Sequence, residues 1–152
     1  MNGTTFLQEA TRSIRTMPWR RYLLLMAGAN LIWETIQLPL YTVWQTGTNG
    51  TMAYDVVHCT AGDILIAGTA LGAAVVLIGK GRWSATNYRR IAIAAVGLGL
   101  AYTVFSEWYN TEILKSWTYG ARMPRLPLLG IGLSPLLQWL FLPPLCFWRA
   151  RR

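Results

Sequence analysis

Four apolar stretches take up most of this chain, at 22–44, 56–78, 91–108 and 126–148. Each reaches the roughly 18 to 20 residues that a helix needs to cross a bilayer. In hydrocarbon a backbone must satisfy its own hydrogen bonds, so stretches of this kind fold as helices or not at all. The expectation is an all-α membrane protein: a four-helix transmembrane bundle forming one membrane domain over 1–152. No length remains for a second, soluble domain. The composition agrees, at 53% hydrophobic and 13% charged residues, where a globular domain carries about 25% charged.

The net charge of +8 is distributed in a way that argues against nucleic acid. Arg12, Arg15, Arg20 and Arg21 precede the first stretch. Lys80, Arg82, Arg89 and Arg90 lie between the second and third, and Arg149, Arg151 and Arg152 follow the fourth. Eleven of the 14 basic residues therefore fall on one side, leaving Lys115, Arg122 and Arg125 for the other. This is the positive-inside pattern, and it puts both termini in the cytoplasm. Orientation and attraction to anionic lipid account for the charges, so the bilayer is the expected partner. The expected localisation is integral membrane, and a bacterial inner membrane is expected from the compactness of the chain alone.

Residues 1–19 lack the apolar core of a cleaved secretion signal. Phe6, Leu7, Ala10, Ile14 and Met17 recur at helical spacing and predict a short amphipathic helix on the cytoplasmic surface, ending before Pro18. Pro39 predicts a kink in the first span. Asn49-Gly50 reads as a turn in an outer loop over 45–54, so the second span starts near Asp55. Gly68-x-x-x-Gly72 and Gly97-x-x-x-Ala101 predict close packing of the second and third spans. The aromatic outer loop 111–125, with Trp117 and Tyr119, is expected on the membrane surface or folded over the bundle as a lid. Cys59 and Cys146 fall at opposite ends of their spans, too far apart for a disulfide.

The remaining information is in the polar residues inside these spans. On the first helix Asn30, Glu34, Gln37 and Tyr41 share a narrow sector, with Trp33 beside them. A carboxylate so deep must face protein or water. On the second helix Cys59 and Asp63 share a face, one turn beyond Asp55. His58 points about 140° from Asp63 on an ideal helix, so both meet one ligand only if the turn 59–62 is distorted. Thr103, Glu107 and Asn110 form a third stripe, and Ser134 with Gln138 a fourth. A rise of about 1.5 Å per residue brings all of these into the outer half or near the midplane. The cytoplasmic halves of spans two and three carry no charge. The pattern predicts a polar chamber open to the outer side.

Glu34, Asp63, His58 and Glu107 are the candidate catalytic groups. Asn30, Trp33, Gln37, Tyr41, Cys59, Thr103, Asn110, Ser134 and Gln138 are the candidate ligand contacts. The plainer alternative is that Glu34 and Asp63 hydrogen-bond to Asn30 or Gln138 and only hold helices together. No metal-ligand spacing, H-E-x-x-H, G-x-S-x-G or phosphate-binding glycine loop is present, and no cofactor is indicated. In size, span number and outward-facing acids the chain resembles lipoprotein signal peptidase, a membrane aspartic protease, in architecture alone. The motifs holding that family's paired aspartates in its later spans are absent. It resembles the four-helix sterol-isomerase group in enclosing acids and aromatics, with no motif in common. Three functions fit the residues: a chamber for a cation or a polar-headed amphiphile, an acid/base enzyme acting on a lipidic substrate, or an accessory subunit of a larger membrane complex.

Overall fold

A computed structural model describes residues 18–78 and 85–152. The surface helix expected over 1–19 and most of the basic loop after the second span lie outside the described residues. Four long helices pack side by side: α1 (Trp19–Gln37), α2 (Asn49–Ile78), α3 (Ala85–Trp108) and α4 (Leu133–Ala150). Around the ring α1 touches α2, α2 touches α3, α3 touches α4, and α4 closes on α1. Three stretches, Trp19–Leu40, Asn49–Ile78 and Asn87–Ile113, are long and apolar enough to cross a membrane, the signature of an integral membrane protein. α4 has 18 residues and carries Pro143 and Pro144 within it.

Each helix buries one stripe at helical spacing. On α1 it is Tyr22, Met26, Asn30, Glu34 and Gln37. On α3 it is Ile91, Ala95, Thr103 and Glu107, with Gly99 filling the same register. Both stripes are apolar at the end bearing Trp19 and Ala150 and polar at the opposite end. The apolar end packs Tyr22, Met26, Ala74, Ile91, Ala95, Cys146 and Phe147 into one core. There Tyr22 stacks on Phe147 at 3.9 Å, and Tyr88 donates its hydroxyl to the Phe147 carbonyl at 2.7 Å. Leu24, Ile32, Ile36, Leu65, Val76 and Ile93 are exposed on the outside, as lipid-facing helix faces require.

Several local expectations change. Pro39 does not kink a continuing helix: α1 ends at Gln37 and passes through a 3₁₀ turn, Leu38–Leu40, because the proline leaves the Thr35 carbonyl without its helical donor. Asn49-Gly50 does not form a turn. It opens α2, which starts six residues before Asp55, because Thr48 and Thr51 cap the helix reciprocally. The Thr48 amide donates to Thr51 Oγ1 at 2.8 Å and the Thr51 amide to Thr48 Oγ1 at 3.2 Å. The fourth helix starts at Leu133, not 126, since Pro127 and a left-handed Gly130 (φ 68°) keep the preceding segment in turns.

The small-residue motifs also behave differently. A Cβ at Gly68, Gly72 or Gly97 would meet nothing within 4 Å, so none of the three lies in a close helix contact. The close approach is at Gly99, where a Cβ would stand inside the benzo ring of Trp139. Here α3 gives up a side chain so that a large ring on α4 can lie across it.

Candidate functional site

At the polar end, α1, α2 and α4 converge on one side-chain amide. Gln138 Nε2 lies 2.9 Å from Asn30 Oδ1, 3.0 Å from Glu34 Oε1 and 2.7 Å from Asp63 Oδ2. An amide carries two hydrogens, so three acceptors compete for them. Gln37 Nε2 donates to Glu34 Oε1 at 2.8 Å. Gln37 Oε1 accepts from Ser134 Oγ at 2.7 Å and Trp33 Nε1 at 3.2 Å. The Trp139 indole donates to the second Asp63 oxygen at 3.2 Å. The Glu34 and Asp63 carboxyl groups thus share one donor, which holds them side by side.

A second polar cluster is built on α3. The chain leaves that helix through a π-helical turn, Tyr109–Ile113. It then passes Lys115, whose φ of 53° is a left-handed conformation that costs a non-glycine residue about 1 to 3 kcal/mol. The strap that follows folds across the polar end. The Thr42 amide donates to the Thr118 carbonyl at 3.0 Å, and the Gly120 amide to the Leu40 carbonyl at 2.8 Å. Gly120 permits this approach, since a Cβ there would sit 3.2 Å from that carbonyl oxygen. The strap delivers Tyr119, whose hydroxyl donates a short hydrogen bond to Glu107 Oε2. Its ring lies over Gly132, where a Cβ would come within 2.9 Å. Burial, with the Glu107 charge second, pushes the Tyr119 phenol well above its ordinary range, so it stays a donor. The Trp117 indole also approaches Glu107 without closing a well-directed bond.

Between the two clusters lies a cavity of about 1060 Å³. Thr46, Asp55, His58, Lys115 and Ser116 line its polar rim, and Glu34, Asp63, Gln138 and Glu107 its middle. Its foot is apolar, formed by Ile66, Ala70 and Ala73 of α2 with Leu98 of α3. Leu65 of α2 and Tyr102 of α3 also line it and are 68% and 52% exposed, so part of its lining reaches the outside of the bundle. Among the described residues no three His, Cys, Asp or Glu side chains converge as metal ligands.

The residues singled out from sequence divide into three groups. Asn30, Trp33, Glu34, Gln37, Asp63, Ser134 and Gln138 join one network. Glu107, Thr103, Tyr41, Cys59 and Asn110 line the same cavity outside that network. Thr103 Oγ1 is buried and has no hydrogen-bond partner. Asn110 donates to the Ser106 carbonyl one turn back, at 2.9 Å. His58 stays apart: α2 runs undistorted through 59–62, and the imidazole stacks on Tyr54 at the rim, 5.5 Å between ring centres. No family model, curated protein or solved structure matches this chain. The geometry alone must carry the functional reading.

Sequence reasoning missed Lys115, Tyr102 and Gly99. Lys115 comes into place through an irregular turn that leaves no periodic signal. Tyr102 and Gly99 each look like ordinary members of an apolar helix. Trp117 and Tyr119 stood out as loop aromatics, but nothing in the sequence joined Tyr119 to Glu107.

Proposed function

We propose that this chain is a small four-helix transmembrane protein of the bacterial inner membrane whose outer-half chamber binds a membrane-dissolved amphiphile with a polar head. The distribution of Lys and Arg supports the orientation: Arg20, Arg21, Arg89, Arg90 and Arg149 lie at the apolar-core end, which is the cytoplasmic end on this reading. Both termini are then cytoplasmic, and Lys115, Arg122 and Arg125 face the outside.

The observation that carries the ligand reading is the polarity gradient along the cavity. A charged rim, an acidic middle and an apolar foot follow one another in the order of headgroup region and hydrocarbon in a bilayer. A bare cation would leave the foot unexplained. A cavity of this size is also at the upper end of what small-molecule sites occupy. The test is native mass spectrometry of the protein extracted gently from its membrane, comparing wild type with Glu34→Gln and Asp63→Asn. Wild type should carry a co-purifying amphiphile that both variants lose while keeping their helicity. An amphiphile retained in both variants, or absent from all three, would sink the reading.

The shared donor that holds the Glu34 and Asp63 carboxyls side by side favours a second reading, an acid/base enzyme on a lipidic substrate. Two acids sharing a proton can donate from one and accept on the other. Incubating wild-type protein with its co-purified lipid and following product mass distinguishes this reading from plain binding.

A further inference from the structure

The charges lining the chamber narrow the class of head group. Glu34, Asp63, Glu107 and Asp55 surround it, and the Cys59 side chain lies within the electrostatic reach of all four. Among the described residues none of these carboxyls is in an ion pair. Among the described residues Lys115, at the rim, is the one Lys or Arg that lines the cavity. An ammonium entering among these carboxyl groups would find several charge-assisted acceptors and favour their ionised form, whereas an anionic head would find only Lys115.

A second, independent observation points the same way. Thr103 lies one turn from Glu107 on α3, is 5% exposed, lines the cavity, and its hydroxyl has no partner. A buried hydroxyl without a partner is costly unless a ligand supplies one. Its lone pairs, beside a carboxylate, suit an N–H donor. The Trp139 and Tyr102 rings complete the walls, and aromatic faces attract ammonium groups. From Asp63 to Ala73 the apolar part of α2 runs about 15 Å along the helix, room for an extended chain. Leu65 of α2 and Tyr102 of α3, which line the cavity and are also exposed, give that chain a way to the bilayer.

We infer that the ligand is an amine-headed amphiphile, its ammonium held between the Glu34–Asp63 pair and Glu107 with Thr103 as a further acceptor, and its chain lying between α2 and α3. This rests on the amphiphile reading above and adds the sign of the head and the path of the tail. The step is binding alone, with no bond made or broken.

The experiment uses the full chain in lipid nanodiscs, titrated with dodecylamine, dodecanol and dodecanoate and read by native mass spectrometry. The amine should bind at least about tenfold tighter than the alcohol, and the carboxylate should not bind. Glu107→Gln and Thr103→Val should each weaken the amine several-fold and the alcohol by clearly less. Ala73→Phe, which fills the exposed foot of the groove, should weaken amine and alcohol alike. Circular dichroism and retention volume establish that each variant is folded. Equal affinity for amine and alcohol, or a preference for the carboxylate, overturns the amine head and leaves the chamber reading in place. An amine effect without any effect of Ala73→Phe overturns the tail path. Failure of folded wild type to bind any of the three removes both this inference and the amphiphile reading on which it rests.

Discussion

Gln138 donates to Asp63 at 2.7 Å, joining α4 to α2 across the polar end of the molecule. The same nitrogen serves Asn30 and Glu34 of α1, so one amide is the meeting point of three helices. In an apolar membrane the hydrophobic effect does little to hold helices to one another, and contacts of this kind set their register. The polar cluster is therefore structural and chemical at once. Its carboxyls face a cavity, while its amides fix where those carboxyls stand.

Replacing Gln138 by Leu should be among the more damaging single changes. The side-chain volume is kept, but Asn30 Oδ1, Glu34 Oε1 and Asp63 Oδ2 all lose their common donor. Leaving a buried acceptor unsatisfied costs about 1 to 3 kcal/mol. Unfolding in mixed micelles should show a loss in that range. A variant as stable as wild type would mean that the cluster does not tie the helices together.

Gly99 and Trp139 give a packing prediction. Gly99→Ala puts a methyl group into the Trp139 ring, and overpacking of this kind costs about 1 to 3 kcal/mol. Displacing the ring also pulls its N–H from Asp63. In a Trp139→Phe background, where the benzo ring is gone, the added methyl should cost markedly less. A double-mutant cycle reads this coupling directly, and strict additivity would contradict the contact.

The helix ends offer a third test. Thr48 and Thr51 cap α2 in place of the turn that Asn49-Gly50 suggests. Thr48→Ala should cost about 1 kcal/mol, whereas Gly50→Ala, inside the first turn, should be neutral or stabilising. The opposite ranking in thermal unfolding would return that segment to a loop.

These tests fall where sequence and structure parted. Asn30, Glu34 and Gln37 were legible as a site because hydrocarbon permits polar residues only on faces that meet protein or water, which makes their spacing informative. Asp63, Glu107 and Gln138 could be added by depth alone. Glycine was a poor guide: the Gly68 and Gly72 pair has the spacing of a helix contact yet stands open, as does Gly97, while Gly99, two residues further on, makes the real one. A motif fixes which face of a helix is small, but the ring that fills it comes from elsewhere in the chain. The strap was least legible, since its hold depends on backbone pairing with Leu40 and Thr42. Side-chain patterns do not encode that pairing.

The strap yields the last prediction, through Tyr119 and Glu107. In Tyr119→Phe the ring remains over Gly132, but the hydrogen bond to Glu107 is lost. Backbone bonds at Thr42 and Gly120 should then open more often, seen as faster amide exchange at those two residues. The effect should also depend on pH. With the strap docked, the phenol is pushed above its ordinary value of 10.0, mainly by burial. Undocked, it ionises near that ordinary value. The docked form thus holds the proton longer, so its stability is constant below about pH 10 and falls as pH rises further. Tyr119→Phe removes this contribution, and its unfolding midpoint should fall less than that of wild type between about pH 9 and 11. Parallel declines in the two proteins would show that Tyr119 does not latch the strap.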